Sequence, residues 1–276
     1  MEFNNHIPDP PLDQYIESIF HFRNFMPDHS RERVVPTGHL FLIFELDGMP
    51  RHTFDNKTLK PAETFTNAWI SGQQTGCITI SALRNSEMLV IQFKPHGAFP
   101  FLHVPLYRLN NRIVPAEKIA GKEILNLRER LLSKENPCDK FEIAVSWLNA
   151  RLDHTKDPPQ TLLTALEYLH REPVSNLSVI VENYPNSRKH MIGQFKRYVG
   201  LTPKVYQRIL RFNEILLKLN DKKLVTWAEI AYRCGYSDQS HFIKEFSHFS
   251  GFNPQEFIDR NFSDGGFNFF PLDRTN

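Results

Sequence analysis

The chain contains 276 residues, carries a formal net charge of +2 and is 41% hydrophobic. This length predicts two domains that each bury a core, and no apolar run reaches the roughly 18 residues that a membrane-spanning helix needs. The three cysteines are too scattered for a CxxC pair, and the N-terminus MEFNNHIPDP lacks the charged-then-apolar pattern of an export signal. We therefore expect a cytoplasmic protein with reduced cysteines, neither exported nor associated with a membrane.

Residues 1–113 predict mainly β-structure. Short apolar runs rich in Phe, Ile and Val alternate with turn-rich stretches, a pattern typical of strands. The clearest runs are HLFLIFEL (39–46), FTNAWI (65–70), CITISAL (77–83) and EMLVIQFK (87–94). Such a succession predicts a small sandwich or barrel. The segment KPHGAFPFLHVP (94–105) contains three prolines, and we expect a loop packed by its own aromatic residues.

After Pro115 the spacing of apolar residues becomes helical. The two predicted apolar stripes are Ala120, Ile124, Leu127 and Leu131, and Phe141, Val145, Leu148 and Leu152. Two amphipathic helices in succession predict a helical hairpin, which either covers the β-structure or pairs with the same hairpin of another subunit. The polar segment HTKDPP (154–159) predicts an extended linker, so we place the first domain at residues 1–155.

The second domain, at residues 156–262, is predicted to be entirely helical. Residues 186–223 contain ten basic and two acidic residues, a net charge of +8, whereas residues 1–159 contain 18 basic and 19 acidic ones. Basic charge this local is typical of a phosphate-facing surface, with a solvated helix surface as the alternative. The tail at residues 263–276 contains two glycines and a proline, so we expect no helix there. Its phenylalanines either bury or stay exposed.

A pattern repeats within the helical domain. SRKHMIGQFKRYVGLTPKVY (187–206) matches SDQSHFIKEFSHFSGFNPQEF (237–257), and a short apolar helix precedes each copy. The matched pairs are Met191 with Phe242, Phe195 with Phe246, Gly200 with Gly251, Pro203 with Pro254, and Tyr206 with Phe257. Two such units predict two helix-turn-helix motifs, whose second helices can enter successive major grooves of DNA.

The second unit has the residues that such a motif needs. Ala231 permits close helix approach, Gly235 permits a turn with positive φ, and Ser237 or Asp238 can cap the recognition helix. The predicted buried stripe is Phe242, Phe246 and Phe249. The predicted outward residues are Gln239, Ser240, His241 and Lys244. Amide, hydroxyl and cationic side chains of this kind suit base edges and phosphates.

The first unit departs from this plan. Val181 replaces the small alanine, and Pro185 stands where the second unit has glycine. Ile192 and Gly193 fall on the outward face beside Lys189. The surrounding cations are Arg188, Lys196 and Arg197. We expect this helix to contact phosphates and thymine methyl groups rather than to read bases by hydrogen bonds.

Between the units, PKVYQRILRFNEILLKLND (203–221) predicts a long helix that begins at Pro203. A rigid helix here would fix the separation of the two recognition helices. Because it is the most basic element, we expect it to lie along the DNA backbone. The complete prediction is a two-domain α+β protein. A β-rich sandwich or barrel-like domain with a helical hairpin precedes an all-α domain with two helix-turn-helix units joined by a long helix.

Residues 161–262 resemble the DNA-binding domain of the AraC/XylS family of bacterial transcription regulators. The motifs that carry the resemblance are IAYRCGYSDQSHFIKEF (230–246), GFNPQEF (251–257) and the Ser187–Tyr206 copy. The resemblance implies base contacts at Lys189, Ile192, Gly193, Gln239, Ser240, His241 and Lys244. With the neighbouring positions added, the DNA-contacting residues that we predict are Arg188, Lys189, Ile192, Gly193, Lys196, Arg197, Ser237, Gln239, Ser240, His241 and Lys244.

The N-terminal half resembles, more loosely, a poorly understood domain that precedes this DNA-binding domain in a subset of the family. The matching segments are RVVPTGHLFLIFEL (33–46), WISGQQTG (69–76) and residues 93–115. In the wider family such domains sense small molecules or hold dimers together. We predict that His39, Trp69 and His96 border an effector pocket, with strand-core packing as the alternative for Trp69.

Catalytic and metal-binding patterns are missing from the sequence. The seven histidines of the first 103 residues form no HxH pair, and no P-loop, GxGxxG or nucleophile elbow occurs. Three scattered cysteines cannot form the zinc-bound acceptor cluster of a DNA-alkyl-repair protein. We expect neither enzyme activity, nor a cofactor, nor a metal site.

The sequence thus predicts a sequence-specific DNA-binding transcription regulator. The partners that we expect are double-stranded DNA, RNA polymerase, a small-molecule effector and a second copy of the chain. The effector would change how two DNA-binding domains are positioned. The alternative is a ligand-independent dimer whose N-terminal domain only mediates protein contacts.

Overall fold

The structure is a computed structural model that describes residues 1–220, 227–236, 238–260 and 268–274. Its strands are β1 (Glu2–His6), β2 (Ile16–Phe25), β3 (Arg31–Val34), β4 (Leu40–Glu45), β5 (Arg51–Phe54), β6 (Pro61–Phe65), β7 (Ala68–Ser71), β8 (Ile78–Ser81), β9 (Ser86–Phe93), β10 (Ile113–Pro115) and β11 (Phe269–Pro271). Its helices are α1 (Phe99–Leu102), α2 (Glu117–Ala120), α3 (Glu123–Leu132), α4 (Pro137–Arg151), α5 (Gln160–Arg171), α6 (Leu177–Asn183), α7 (Arg188–Tyr198), α8 (Pro203–Asn220), α9 (Trp227–Arg233), α10 (Gln239–Ser250) and α11 (Pro254–Asp259). The predicted two-domain α+β fold is confirmed.

The strands form two antiparallel sheets. The first sheet has the order β1-β2-β9-β4-β7-β10, and the second has the order β11-β3-β8-β5-β6. The four predicted apolar runs correspond to β4, β7, β8 and β9. In the first sheet β9 lies between β2 and β4, so strands far apart in the chain become neighbours.

Both faces of the first sheet are covered, as β4 illustrates. Leu42 and Phe44 belong to the main core, while Ile43 belongs to a second apolar cluster between the sheets. Because successive residues of a strand point to opposite faces, a strand covered on both sides needs a continuous apolar run. This explains why HLFLIFEL shows no alternation of apolar and polar residues.

The helical hairpin covers the first sheet. Leu127 and Leu131 of α3 are buried in the same core as Leu42 of β4, and Arg128 Nε donates a hydrogen bond to the Glu45 carbonyl oxygen at 2.7 Å. Of the two roles predicted for the hairpin, the structure shows that it covers the β-structure. The segment at 94–105 differs from the predicted loop, since it contains the one-turn helix α1 with all four residues buried.

The segment between the domains is held by hydrogen bonds. Tyr15 Oη donates to Asp157 Oδ1 at 2.7 Å, and Tyr198 Oη donates to the Asp157 carbonyl oxygen at 3.0 Å. Residues His154–Lys156 form a 3₁₀ turn, and the Asp153 side chain accepts the Thr155 N–H at its start. The predicted extended conformation is therefore found at Asp157 and Pro159 but not at His154–Lys156, and Asp157 bonds to both domains.

The C-terminal tail returns to the first domain. Strand β11 pairs with β3 and so extends the second sheet. Asp273 accepts hydrogen bonds from the backbone N–H groups of Ser30 and Arg31 at 3.0 and 2.9 Å. Phe270 is buried and Phe269 is partly exposed; Phe267 lies outside the described residues.

Within the described part of the chain, the helices are too short or too polar for any of them to cross a bilayer.

Candidate nucleic-acid interface and ligand cavity

The second recognition helix, α10, begins at a capping aspartate. The Asp238 side chain accepts the His241 N–H at 2.8 Å, as the sequence predicted for one of two residues. The other, Ser237, lies outside the described residues. Gly235 has a φ of 72°, in the left-handed region that its turn was predicted to need. The three predicted core residues Phe242, Phe246 and Phe249 are fully buried.

The outward face of α10 is open near its N-terminal end. The side chains of Gln239, Ser240, His241 and Lys244 are all exposed. The His241 ring packs edge-on against Tyr236, with ring centroids 5.4 Å apart. The four predicted residues therefore lie together on one uncovered surface.

The first recognition helix, α7, has the same arrangement. The Ser187 side chain accepts the His190 N–H at 3.2 Å, and Met191 and Phe195 are buried. A Cβ on Gly193 would meet no atom within 4 Å, so this position faces open space. The predicted positions that are exposed here are Arg188, Lys189, Gly193 and Lys196, and Ile192 is half-buried. Sequence reasoning missed Gln194, whose Nε2 lies 3.2 Å from His190 Nε2 on the next turn.

Arg197 differs from the other predicted cations because it has a partner in the first domain. Its guanidinium carbon lies 4.9 Å from the ring centroid of Phe99 in α1. The neighbouring Tyr198 meets the same ring edge-on at 5.2 Å. The C-terminal end of α7 is therefore docked on the first domain, while its N-terminal end projects away from that contact.

The C-terminal end of α10 is docked in the same way. Arg33 Nη1 of β3 donates to the Gly251 carbonyl oxygen at 2.5 Å, and the same guanidinium lies 4.5 Å from the Phe252 ring centroid. His248 Nε2 donates to the Thr75 carbonyl oxygen at 2.7 Å. The matched residue of the first unit, Gly200, also lies against the first domain, where an added Cβ would stand 3.2 Å from the Leu106 carbonyl oxygen. The first domain thus holds both recognition helices by their C-terminal ends.

A buried carboxylate joins α10 to α8. Glu245 accepts hydrogen bonds from Arg208 Nε at 2.6 Å and from Tyr236 Oη at 2.8 Å, and Arg211 Nη2 lies 3.7 Å away. The Glu245 side chain is only 2% exposed. Arg208 and Arg211 of α8 are thus turned toward Glu245, and the position of α8 along the DNA backbone stays a prediction. Lys222 lies outside the described residues, as does Lys223.

A cavity of about 510 Å³ lies between the two sheets. Aromatic and aliphatic side chains from both sheets form most of its wall, and α8 contributes Leu210, Asn213 and Leu216. Asn213 Nδ2 also donates to the Pro36 carbonyl oxygen at 3.3 Å, in the loop before β4. The helix that joins the two helix-turn-helix units is therefore also part of the cavity wall.

One end of the cavity is lined by neutral histidines. His39 Nδ1 lies 2.9 Å from the Phe93 carbonyl oxygen, and a carbonyl only accepts, so Nδ1 carries the proton and Nε2 is left as an acceptor. Burial lowers the pKa of His39, which keeps the ring neutral. Burial likewise lowers the pKa of His170, which lines the cavity and whose Nε2 lies 2.7 Å from Tyr206 Oη.

Two of the three residues predicted to border an effector pocket line the cavity. His39 and Trp69 line the cavity, whereas His96 is not among the lining residues. His96 Nε2 donates instead to the Gln14 carbonyl oxygen at 3.1 Å, and burial lowers its pKa to about 4. Nothing in the sequence around His96, which lies in a proline-rich segment, indicates that its ring would bond to the Gln14 carbonyl oxygen.

The other end of the cavity contains a buried charged cluster that sequence reasoning missed. Arg51 lines the cavity, its Nη2 lies 2.8 Å from Glu45 Oε2, and it also bonds to Asp47. Trp69 Nε1 donates to Glu45 Oε1 at 2.7 Å. Burial raises the pKa of Glu45 to about 7, an effect that Arg51 and the Trp69 hydrogen bond oppose. Two donors of Arg51, Nε and Nη1, have no hydrogen-bond partner among the described residues.

The raised pKa of Glu45 predicts a pH-dependent stability. The folded protein holds this proton up to about pH 7, whereas an unfolded glutamate releases it near its usual pKa of 4.5. The contribution of Glu45 is thus full below the unfolded pKa and declines as the pH rises toward 7, by up to about 1.4 kcal/mol per pH unit. Denaturant unfolding of the wild type and the Glu45→Gln variant from pH 4.5 to 8 measures this. The difference between their stabilities should change over that range; a constant difference would contradict the assignment.

Two stretches of the chain match known protein families. Residues 4–115 match a domain of unknown function (DUF6597), and residues 185–260 match a helix-turn-helix domain.

Related proteins match over part of their length. The HTH-type transcriptional activator RhaS of Escherichia coli (strain SE11) is 29% identical over 147 residues, which are 50% of this chain and 45% of that protein. RhaS of Shigella boydii serotype 18 is 28% identical over the same shares. The chain spans about half the length of the curated relatives that it matches. Among solved structures, ToxT from Vibrio cholerae has a TM-score of 0.45 at 10% identity, covering 94% of this chain and 98% of that one. The chain therefore carries an AraC-type helix-turn-helix domain, which follows an N-terminal domain of unknown function.

Proposed function

We propose that the protein is a sequence-specific DNA-binding transcription regulator. The observation that carries the proposal is the matched exposure of the N-terminal halves of α7 and α10. Each half follows a side-chain cap and presents polar or cationic residues away from the first domain. An uncovered, N-terminally exposed helix of this kind is what the major groove accepts. The curated relatives, which are transcriptional activators, support the same function.

We further propose that the first domain senses a small molecule in the cavity between its sheets. The cavity volume falls in the range of small-molecule sites. Its wall includes α8, and α8 holds α10 through Glu245. A ligand that packs better against one position of α8 than another would therefore change how α10 is held. This physical connection supports a regulated protein over the ligand-independent alternative.

The DNA proposal is tested by comparing a base-reading variant with a phosphate-contacting one. The preferred site is first selected from random duplexes, and affinities are then measured for that site and for unrelated DNA at several salt concentrations. Gln239→Ala should cost about 1–3 kcal/mol at the preferred site and little on unrelated DNA. Lys196→Ala should weaken both about equally and lower the salt slope by about one. Lys196 is preferred to Arg197 as the control because Arg197 already stacks on Phe99.

Two outcomes would count against this proposal. If the wild type selects no duplex at low ionic strength, the function is wrong. If Gln239→Ala weakens preferred and unrelated DNA equally, the protein binds DNA but Gln239 does not read it. The homodimer and the RNA polymerase contact remain predictions; sedimentation with and without the preferred duplex tests the first.

A further inference from the structure

We propose that the cavity takes an elongated, uncharged and largely apolar molecule whose carbonyl, amide or hydroxyl oxygen accepts a hydrogen bond from Arg51. The proposal rests on the proposed function in one respect, that the cavity is the sensing site. Ligand binding itself can be measured without DNA.

The register of β4 gives the cavity its long axis. Residues His39, Phe41 and Ile43 alternate along the strand and all line the cavity, and Glu45 follows on the same face. The six residue steps from His39 to Glu45 span about 20 Å. A polar group therefore stands near each end of a long apolar wall, which favours an extended ligand over a compact one.

The apolar wall is continuous across the first sheet. Phe20, Val90, Ile43 and Trp69 stand opposite one another on neighbouring strands and all line the cavity. This row lies between the His39 end and the Arg51 end. A ligand body that crosses it meets only hydrocarbon and aromatic surface, so most of the ligand must itself be apolar.

Arg51 has buried hydrogen-bond donors that a ligand could satisfy. Arg51 is 4% exposed, and its Nε and Nη1 atoms are buried without a hydrogen-bond partner among the described residues. Buried donors are nearly always satisfied in proteins, because an unmade hydrogen bond costs free energy. Nε and Nη1 lie on different edges of the planar guanidinium, so a ligand oxygen accepts from one of these donors and satisfies that one.

The charges around Arg51 favour an uncharged ligand. Glu45 and Asp47 already pair with its guanidinium, and Glu32 also lines the cavity. No lysine is among the described residues that line it. An anionic ligand would add another negative charge to a site whose one guanidinium is already paired with two carboxylates, and burying an unpaired charge is costly. A neutral oxygen uses a free donor and adds no charge.

The far end of the cavity accepts a hydroxyl. The neutral His39 ring offers Nε2 as an acceptor, and Thr37 and Gln92 line the cavity beside it. A ligand with a second hydroxyl at this end would meet the wall that α8 completes through Asn213. The Arg51 end fixes the ligand, and the His39 end faces the DNA-binding domain.

The experiment compares probes that share one hydrocarbon chain and differ in the head group. Decanamide, decanol, decanoate and decylamine are titrated at pH 8 into the full-length protein without DNA, and binding is followed by calorimetry and native mass spectrometry. Decanamide and decanol should bind with one molecule per chain, about tenfold or more tighter than decanoate and decylamine. Equal or tighter binding of either charged probe, or no binding of any probe, would overturn the proposal.

Two variants locate the site. Arg51→Lys keeps the positive charge beside Glu45 and Asp47 but removes the Nε and Nη1 donors, so it should fold and lose decanamide affinity by about fivefold or more. Val90→Phe adds volume to the cavity wall and should abolish probe binding. Retained binding in Val90→Phe would place the probes elsewhere and overturn the proposal. Because DNA affinity is measured separately, a wild-type protein that binds DNA but none of the probes identifies a failure of this inference and not of the DNA-binding function.

Discussion

The Glu245→Ala variant is expected to lower the stability of the C-terminal domain by about 2–3 kcal/mol and to weaken binding to the preferred DNA site by about tenfold or more. Removal of the carboxylate leaves Arg208 and Arg211 facing each other without a counter-charge, and it leaves the Tyr236 hydroxyl without its acceptor. The stability figure is below that of a fully buried pair because Arg208 is 31% exposed. The affinity loss follows because α10 no longer keeps its position on α8.

Glu256 provides the matched control for Glu245. It makes an i,i+4 ion pair with Arg260 in the neighbouring helix α11, and both side chains are 39% exposed. Glu256→Ala should therefore change the stability by less than about 0.5 kcal/mol. Glu245→Gln separates charge from volume, because the amide can still accept from Tyr236. Denaturant unfolding and DNA titration measure both effects. Equal changes of stability and DNA affinity in Glu245→Ala and Glu256→Ala would show that the buried carboxylate does not hold α10 on α8.

The helical domain was predicted closely because the residues that determine its helices lie close together in the sequence. The spacing of Phe242, Phe246 and Phe249 fixes the buried face of α10, Asp238 fixes its start, and Gly235 fixes the turn before it. Each of these effects acts within one or two helical turns. The same spacing could have identified Glu245, which stands three residues after Phe242 and four before Phe249, and so belongs to the buried face.

The contacts between domains could not be predicted because they join distant parts of the chain. Arg197 was expected to contact phosphate, and its helix position is indeed exposed, but nothing local indicates that Phe99 lies beside it. The same holds for Arg33 at the end of α10. The position of a residue on its helix indicates whether its side chain is exposed. It does not indicate which residue from a distant part of the chain lies beside it.

The cavity was predicted in part. His39 and Trp69 were chosen as pocket residues from a loose resemblance, and both line the cavity. The order of strands in the first sheet, which brings β9 between β2 and β4, is a non-local feature that apolar runs do not encode. Arg51 was missed although its partners Glu45 and Asp47 are close in sequence, because apolar runs do not show that β4 and β5 belong to different sheets that line one cavity.

The Phe270→Ala variant is expected to lower stability by about 3 kcal/mol and to release the C-terminal tail. Phe270 is 3% exposed, and its ring meets Phe257 of α11 at a centroid distance of 4.8 Å. Deleting a buried aromatic ring removes its apolar burial and leaves a cavity between β11 and α11. Because β11 pairs with β3, its release also removes the Asn268 carbonyl oxygen that accepts the Val35 N–H at 3.0 Å. Denaturant unfolding and hydrogen exchange at Val35 measure the two effects.

Phe269 is the control, because it stands next to Phe270 in the same strand with its side chain on the other face. It is 43% exposed, so Phe269→Ala should cost about 1 kcal/mol or less and leave Val35 protected from exchange. DNA affinity should stay near that of the wild type in both variants, since the described tail residues pair with β3 and pack on α11. If Phe270→Ala leaves Val35 protected and the stability unchanged, the tail is held by Asp273 and the strand pairing alone, and the buried ring is not what joins α11 to the first domain.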